Sequence, residues 1–281
     1  MANVSYVNIS TLKGTGALNV TSTAFDGRLR QLLENVSEEI DRYTHRHFYP
    51  LIETRYFNGA DGTRLFVPDL IEVSALKEDN NFDGTYDTTW AVADYQLAPY
   101  NAAPTSEWGR PYTRILVDNR AGTQDVFITG QRNYEIAGTW GYQRVTATSG
   151  RTGTLANSTT TTLTLDGTVG GTLVPGDSLV IGSEVIYVTT GTVAGGTAVT
   201  VLRGQLGSTA TAHSNIAVDV VQYPGAIVEA VIIQASRLWK RRDSGFASEV
   251  GMPETGQMMV FRGPLDGDVK QLLSPLRRQV V

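Results

Sequence analysis

The 281-residue sequence contains no cysteine. Disulfides, thiolate metal sites and cysteine nucleophiles are therefore excluded. Histidine is scarce, with only His45, His47 and His213 available for acid–base or metal chemistry. No window approaches the ~18 consecutive apolar residues of a membrane-spanning helix. Met1–Ser5 carries neither a basic flank nor an apolar run, so no signal peptide is expected. A basic balance is missing too: 23 Lys and Arg stand against 28 Asp and Glu, for a net charge of −5. A protein that grips nucleic acid usually shows the opposite excess. Any relation to DNA has to be something other than gripping it.

One further absence is local. Residues 143–223 hold no Lys, no Trp and no Phe, and are built largely of Thr, Gly and Val. Both flanks carry helices, aromatics and basic clusters. This contrast predicts two domains: a discontinuous one over residues 1–142 and 224–281, and an inserted β-module over residues 143–223. Within the module, alternating stretches at Thr162–Leu165, Ser178–Ile181, Glu184–Val188, Ala198–Leu202 and Val218–Val221 predict strands. Gly-rich turns separate them, which suits a small barrel or sandwich.

What is present elsewhere is a mixed pattern. At 41% hydrophobic and 18% charged the chain can bury a real core, and 29 Gly favour turns and β-structure. Thr23 is placed to cap a helix, with Asp26 three residues on. Phe25, Leu29, Leu32, Leu33, Val36, Ile40 and Tyr43 then recur at three- and four-residue steps, an amphipathic helix ending before Pro50. Residues 51–140 alternate as strands between turns such as Asn58–Gly62 and Asp79–Asp87. Pro224 suits a first helical position, and Ala226–Ala235 is apolar nearly all round, as in a helix enclosed on several sides. A final helix over Asp266–Ser274 stops at Pro275. The fold class expected is α+β: a helical host domain with a long N-terminal helix, a buried second helix and a C-terminal helix, an antiparallel sheet, and an inserted all-β barrel or sandwich module.

Few patterns carry chemistry. Gly14-Thr15-Gly16-Ala17-Leu18-Asn19 misses the third glycine of a dinucleotide fingerprint and follows no strand. Asp79, Asn81, Asp83 and Asp87 place oxygens at the first, third, fifth and ninth positions of a calcium loop, with Gly84 at the sixth. The closing position is Trp90, so a hairpin turn is the preferred reading and no metal is expected. No nucleophile elbow, Walker loop or zinc-protease motif occurs. The chain is not expected to be an enzyme or to hold a cofactor. Lys240-Arg241-Arg242 and Arg277-Arg278 read as helix-dipole compensation or protein contacts.

A series of phrases, taken in order, resembles the head–tail connector (adaptor) proteins of tailed bacteriophages. They are Tyr43–Pro50, Tyr56–Gly59, Leu65–Pro68, the Asp79–Tyr86 turn, Asp94–Pro99, Ile136–Tyr142, Pro224–Ala230 and Leu272–Arg278. The order is specific where no single phrase is, and the match covers most of residues 9–142 and 224–278. Residues 143–223 depart from it, since most members lack an insertion there. The resemblance implies a virion neck protein, made in the host cytoplasm. It would form a homo-oligomeric ring of about twelve copies between portal and stopper or tail-completion protein, with DNA passing through without sequence-specific binding. On that reading Leu272, Leu273, Leu276, Arg277 and Arg278 would dock on the portal. Ile227, Val231, Leu238 and Trp239 would pack subunits together. Gly251, Gly256, Met258 and Met259 would give a flexible loop. The alternative is a baseplate or receptor-binding component whose β-module touches the host surface.

Overall fold

The computed structural model describes residues 4–120, 122–166, 172–191, 196–242, 249–252, 257–260 and 265–278. Helix α1 spans Ile9–Lys13 and α2 spans Asp26–Thr44. Strands β1 (Leu51–Gly59), β2 (Arg64–Glu78), β3 (Thr88–Thr89), β4 (Tyr95–Ala98), β5 (Tyr112–Val117) and β6 (Gly130–Trp140) follow. Next come β7 (Val145–Leu155), β8 (Thr162–Leu165), β9 (Ser178–Ile181), β10 (Glu184–Thr190), β11 (Ala198–Gln205) and β12 (His213–Gln222). Helix α3 (Gly225–Arg241), strands β13 (Glu249–Met252) and β14 (Gln257–Val260), and helix α4 (Gly267–Leu273) complete the described chain.

Contacts divide these elements into two units, one of Met1–Arg46, Thr146–Gln205 and Thr209–Val281, the other of His47–Val145 and Leu206–Ser208. The second is an antiparallel sheet in the order β1-β6-β2-β5-β4, with β3 paired to β2. Its strands alternate, so Leu65 and Val67 turn inward while Phe66 turns to water. The inward side chains, with Leu70, Leu76, Trp90, Ile115, Phe127, Tyr134, Ile136 and Trp140, form one core. Trp90 stacks on Phe127 with ring centroids 4.7 Å apart.

In the first unit, strands β7 to β12 close a six-stranded barrel in the order β10-β11-β8-β7-β12-β9. Its interior is filled by aliphatic side chains from every one of its strands, among them Leu155, Leu163, Leu179, Ile186, Val199 and Val218. The interior is thus a packed core, not a binding cavity. The same unit holds the helices. Leu29, Leu33, Val36 and Ile40 of α2 are buried, as are Ile227, Ala230, Val231 and Ala235 of α3 and Val269 and Leu273 of α4. Helix α2 packs on α3, and α3 on α4.

This architecture corrects the expected fold class. Among the described residues the protein is mostly β, with a six-stranded antiparallel sheet, a closed six-stranded barrel, the β13–β14 pair and 38% strand against 23% helix, and it is not a helical host domain carrying an inserted module. Helices and barrel are joined through specific bonds. The Tyr187 hydroxyl of β10 donates to Glu34 of α2 at 2.8 Å, the Ile9 amide donates to the Pro175 carbonyl, and Asn8 donates to Asp177. The composition contrast at residues 143–223 reflects what strands of a small barrel demand. β-Branched residues suit the strands and glycines suit the turns, and contacts group Thr146–Gln205 with the helices in one unit.

Candidate functional site

Among the described residues the most deeply buried ionic cluster lies in the barrel. Glu184 opens β10, Arg203 sits on β11 and His213 opens β12. The fully buried Glu184 carboxylate accepts from Arg203 Nε and Nη2, both at 2.7 Å, and from the Gly204 amide at 2.9 Å. It also accepts from the Thr211 amide at 3.2 Å and lies 2.8 Å from His213 Nε2. Burial alone would raise this carboxyl's pKa. The hydrogen bonds, led by those from Arg203, outweigh it and hold the value at about 2. Arg203 in turn donates to the carbonyls of Asn157, Thr160 and Thr211. A carboxylate so fully engaged is a structural lock and a poor general base.

The sheet unit follows the same rule. The buried Glu78 accepts from Trp90 Nε1 and from the Tyr134 hydroxyl, each at 2.9 Å. Asp94 accepts from the amides of Ala91 and Thr123, each at 2.6 Å, and those bonds hold its pKa down despite burial. His47, stacked on Tyr49, has its pKa pushed down to about 4, first by burial and then by the nearby Arg55. It is neutral at neutral pH. These carboxylates each serve a different local frame, and none converges on another as an acid–base pair.

The acidic turn spends its oxygens on its own backbone. Asp79 Oδ2 accepts from the Gly84 amide at 2.9 Å and Oδ1 from the Asp83 amide at 3.3 Å. Asn81 Oδ1 accepts from the Asp83 amide, and Asp83 Oδ1 from the Thr85 amide at 2.7 Å. The exposed Asp83 has its pKa lowered chiefly by that Thr85 bond. Gly84 adopts φ +90, which a glycine takes at little cost. Asp87 donates its amide to the Thr85 carbonyl. Among the described residues no group of three His, Asp or Glu side chains is placed to hold a metal ion.

The positions expected to contact partners are partly consumed inside the chain. Ile227 and Val231 are fully buried in their own unit and leave no surface for a neighbour, while Leu238 and Trp239 are half-buried. Leu273 is fully buried, Leu272, Leu276 and Arg278 are half-buried, and Arg277 is exposed with its guanidinium 5.4 Å from the centre of the Tyr43 ring. The Arg278 amide donates to the Thr44 carbonyl at 2.8 Å, so the tail is tied to α2. Arg241 donates to Asp266 at 2.7 Å, Arg237 grips Asp268 with two bonds, and Arg242 covers the Trp239 ring at 4.1 Å. The basic end of α3 is thus largely answered by acidic residues at the start of α4. Gly251 pairs with Met258 and Val250 with Met259 across β13 and β14, and Gly256 lies outside the described residues.

One surface feature escaped the sequence reading. The segment 99–111 between β4 and β5 presents Trp108 at 91% exposure and Tyr100 at 67%. It is folded on itself by bonds from the Ala102, Ser106, Gly109 and Arg110 amides to the Pro99, Ala103, Ser106 and Ala102 carbonyls. Ala103 sits at φ +48, a conformation costing on the order of 1 kcal/mol for a residue with a Cβ. Gly109 passes so close that a Cβ there would meet the Ala103 carbonyl oxygen at 1.8 Å. The available signal was a tryptophan in a stretch of Pro, Ser, Gly and Arg, with no alternating partner to bury it.

No protein-family model matches the chain, and no curated protein matches it at a significant level. Among the described residues no helix is long and apolar enough to cross a membrane.

Proposed function

We propose that this chain is a structural neck protein of a tailed phage, forming a ring of about twelve copies between the portal and a stopper or tail-completion protein. The observation that carries the reading is the order of the connector-like phrases along the chain. Tyr43–Pro50 links α2 to β1, Tyr56–Gly59 closes β1, and Leu65–Pro68 lies in β2. Asp94–Pro99 spans β4, Ile136–Tyr142 closes β6, and Pro224–Ala230 opens α3. The resemblance rests on these phrases and not on a helical host architecture.

Three physical features support it. Buried ionisable groups are committed to local frames, as a scaffold requires. Helices α2 and α3 pack side by side, as a ring wall would need. The net charge of −5 suits a passage through which DNA slides without being held. The receptor-binding alternative would be favoured by exposed aromatic side chains on the β-module, and Tyr187 there is buried and bonded to Glu34.

Co-sedimentation tests the reading. The purified chain is mixed with phage heads that carry the portal encoded in the same genome but lack neck proteins. The chain should travel with the heads; if it stays at the top of the gradient, the reading fails.

A further inference from the structure

We propose that Trp108 is a self-association knob, seated in an apolar cleft on a second copy of this chain. The cleft has a volume of about 620 Å³ and belongs wholly to the helix-and-barrel unit. Ile9, Val20, Val174 and Pro175 give it apolar walls, and the Lys13–Asp26 pair, 2.7 Å apart, lies in its lining.

Knob and cleft match in three respects. An indole needs an apolar recess larger than its own ring, and clefts of roughly 300–1,000 Å³ are of the size that holds such groups. Charge permits the contact as well: exposed Glu107 and Arg110 bracket Trp108, and the Lys13–Asp26 ion pair in the cleft likewise presents one charge of each sign, so no unbalanced charge opposes docking. Rigidity is the third. The strained Ala103 and the internal amide bonds fix the loop before it meets a partner, so little further ordering is lost on docking. Tryptophan on a preformed loop is a residue type enriched at interface hot spots.

Knob and cleft are different surfaces, so the contact is head-to-tail. Such contacts propagate and close into a ring when the rotation permits. The inference deepens the ring reading by naming its subunit contact, but it can fail separately. Heads that bind a chain whose association ignores Trp108 would remove this inference alone. Trp108-dependent association without head binding would remove the neck reading alone.

The test is sedimentation velocity of the full chain over a micromolar concentration series, with tryptophan emission recorded in parallel. Wild type should associate, with emission moving to the blue as Trp108 leaves water. Trp108→Ala should fold normally and associate roughly 30-fold more weakly, the scale of a lost hot spot. Val20→Glu, which places a charge in the apolar wall that would receive the indole, should do the same. A mixture of the two variants retains one good knob and one good cleft, and should give heterodimers and nothing larger. A wild type that stays monomeric, a Trp108→Ala that associates normally, or a mixture without heterodimers each overturns the proposal.

Discussion

The hydroxyl of Tyr187, on barrel strand β10, donates a 2.8 Å hydrogen bond to the carboxylate of Glu34 on helix α2. Tyr187 is buried. A barrel residue and a helix residue 153 positions apart in sequence are thereby bonded within one compact unit.

Tyr187→Phe keeps the ring and removes the bond. The variant should lose about 1.5 kcal/mol, the scale of a hydrogen bond to a charged group. Urea unfolding followed by circular dichroism measures it, and an unchanged midpoint would show that the barrel and α2 are not energetically joined.

Glu184 sets an acid limb. Its folded pKa of about 2 lies below the ordinary 4.5, so its contribution is present above about pH 4.5 and is lost as pH falls towards 2. The loss should be on the order of 3 kcal/mol for this fully buried group. Glu184→Gln should cost about 3–5 kcal/mol at neutral pH by leaving Arg203 buried without its counter-charge. Its stability should then be flatter between pH 4.5 and 2 than that of wild type.

Asp41 behaves in the opposite sense. Burial against α2's surroundings, with Glu38 adding to it, pushes its pKa up to about 8 although the Tyr6 hydroxyl bonds to it. The folded state keeps a proton that the unfolded state releases near pH 3.8, so stability falls as pH rises from about 3.8 to about 8. Asp41→Asn should therefore melt higher than wild type at neutral pH, with the difference disappearing near pH 4. Melting temperatures at the two pH values decide it.

The acidic turn should ignore calcium. Its oxygens already accept backbone amides, so calcium should not raise the melting temperature and a chelator should not lower it. Gly84→Ala should cost about 1 kcal/mol, purely for the positive φ, since no atom lies close enough to clash. A calcium-dependent rise in melting temperature would show that the turn opens to bind the ion.

Local elements were legible where one period dominated. The stripe from Leu29 to Tyr43 marks α2 because its spacing follows the helical repeat. Alternation at Thr162–Leu165, Ser178–Ile181 and Glu184–Val188 falls on β8, β9 and β10. The grouping of elements was not legible. Bonds such as Tyr187 to Glu34 and Asn8 to Asp177 join residues more than 150 positions apart, and no local pattern announces them. Leu273 and Ile227 illustrate a second limit, since an apolar residue reads alike whether it is buried in its own chain or against a partner. Trp108 shows the reverse, a large apolar side chain left in water.

Electron microscopy of the purified protein mixed with its portal ring tests the central claim most directly. End-on views should show a second ring, concentric with the portal and open at its centre. Bare portals, or bound protein that forms no annulus, would contradict it.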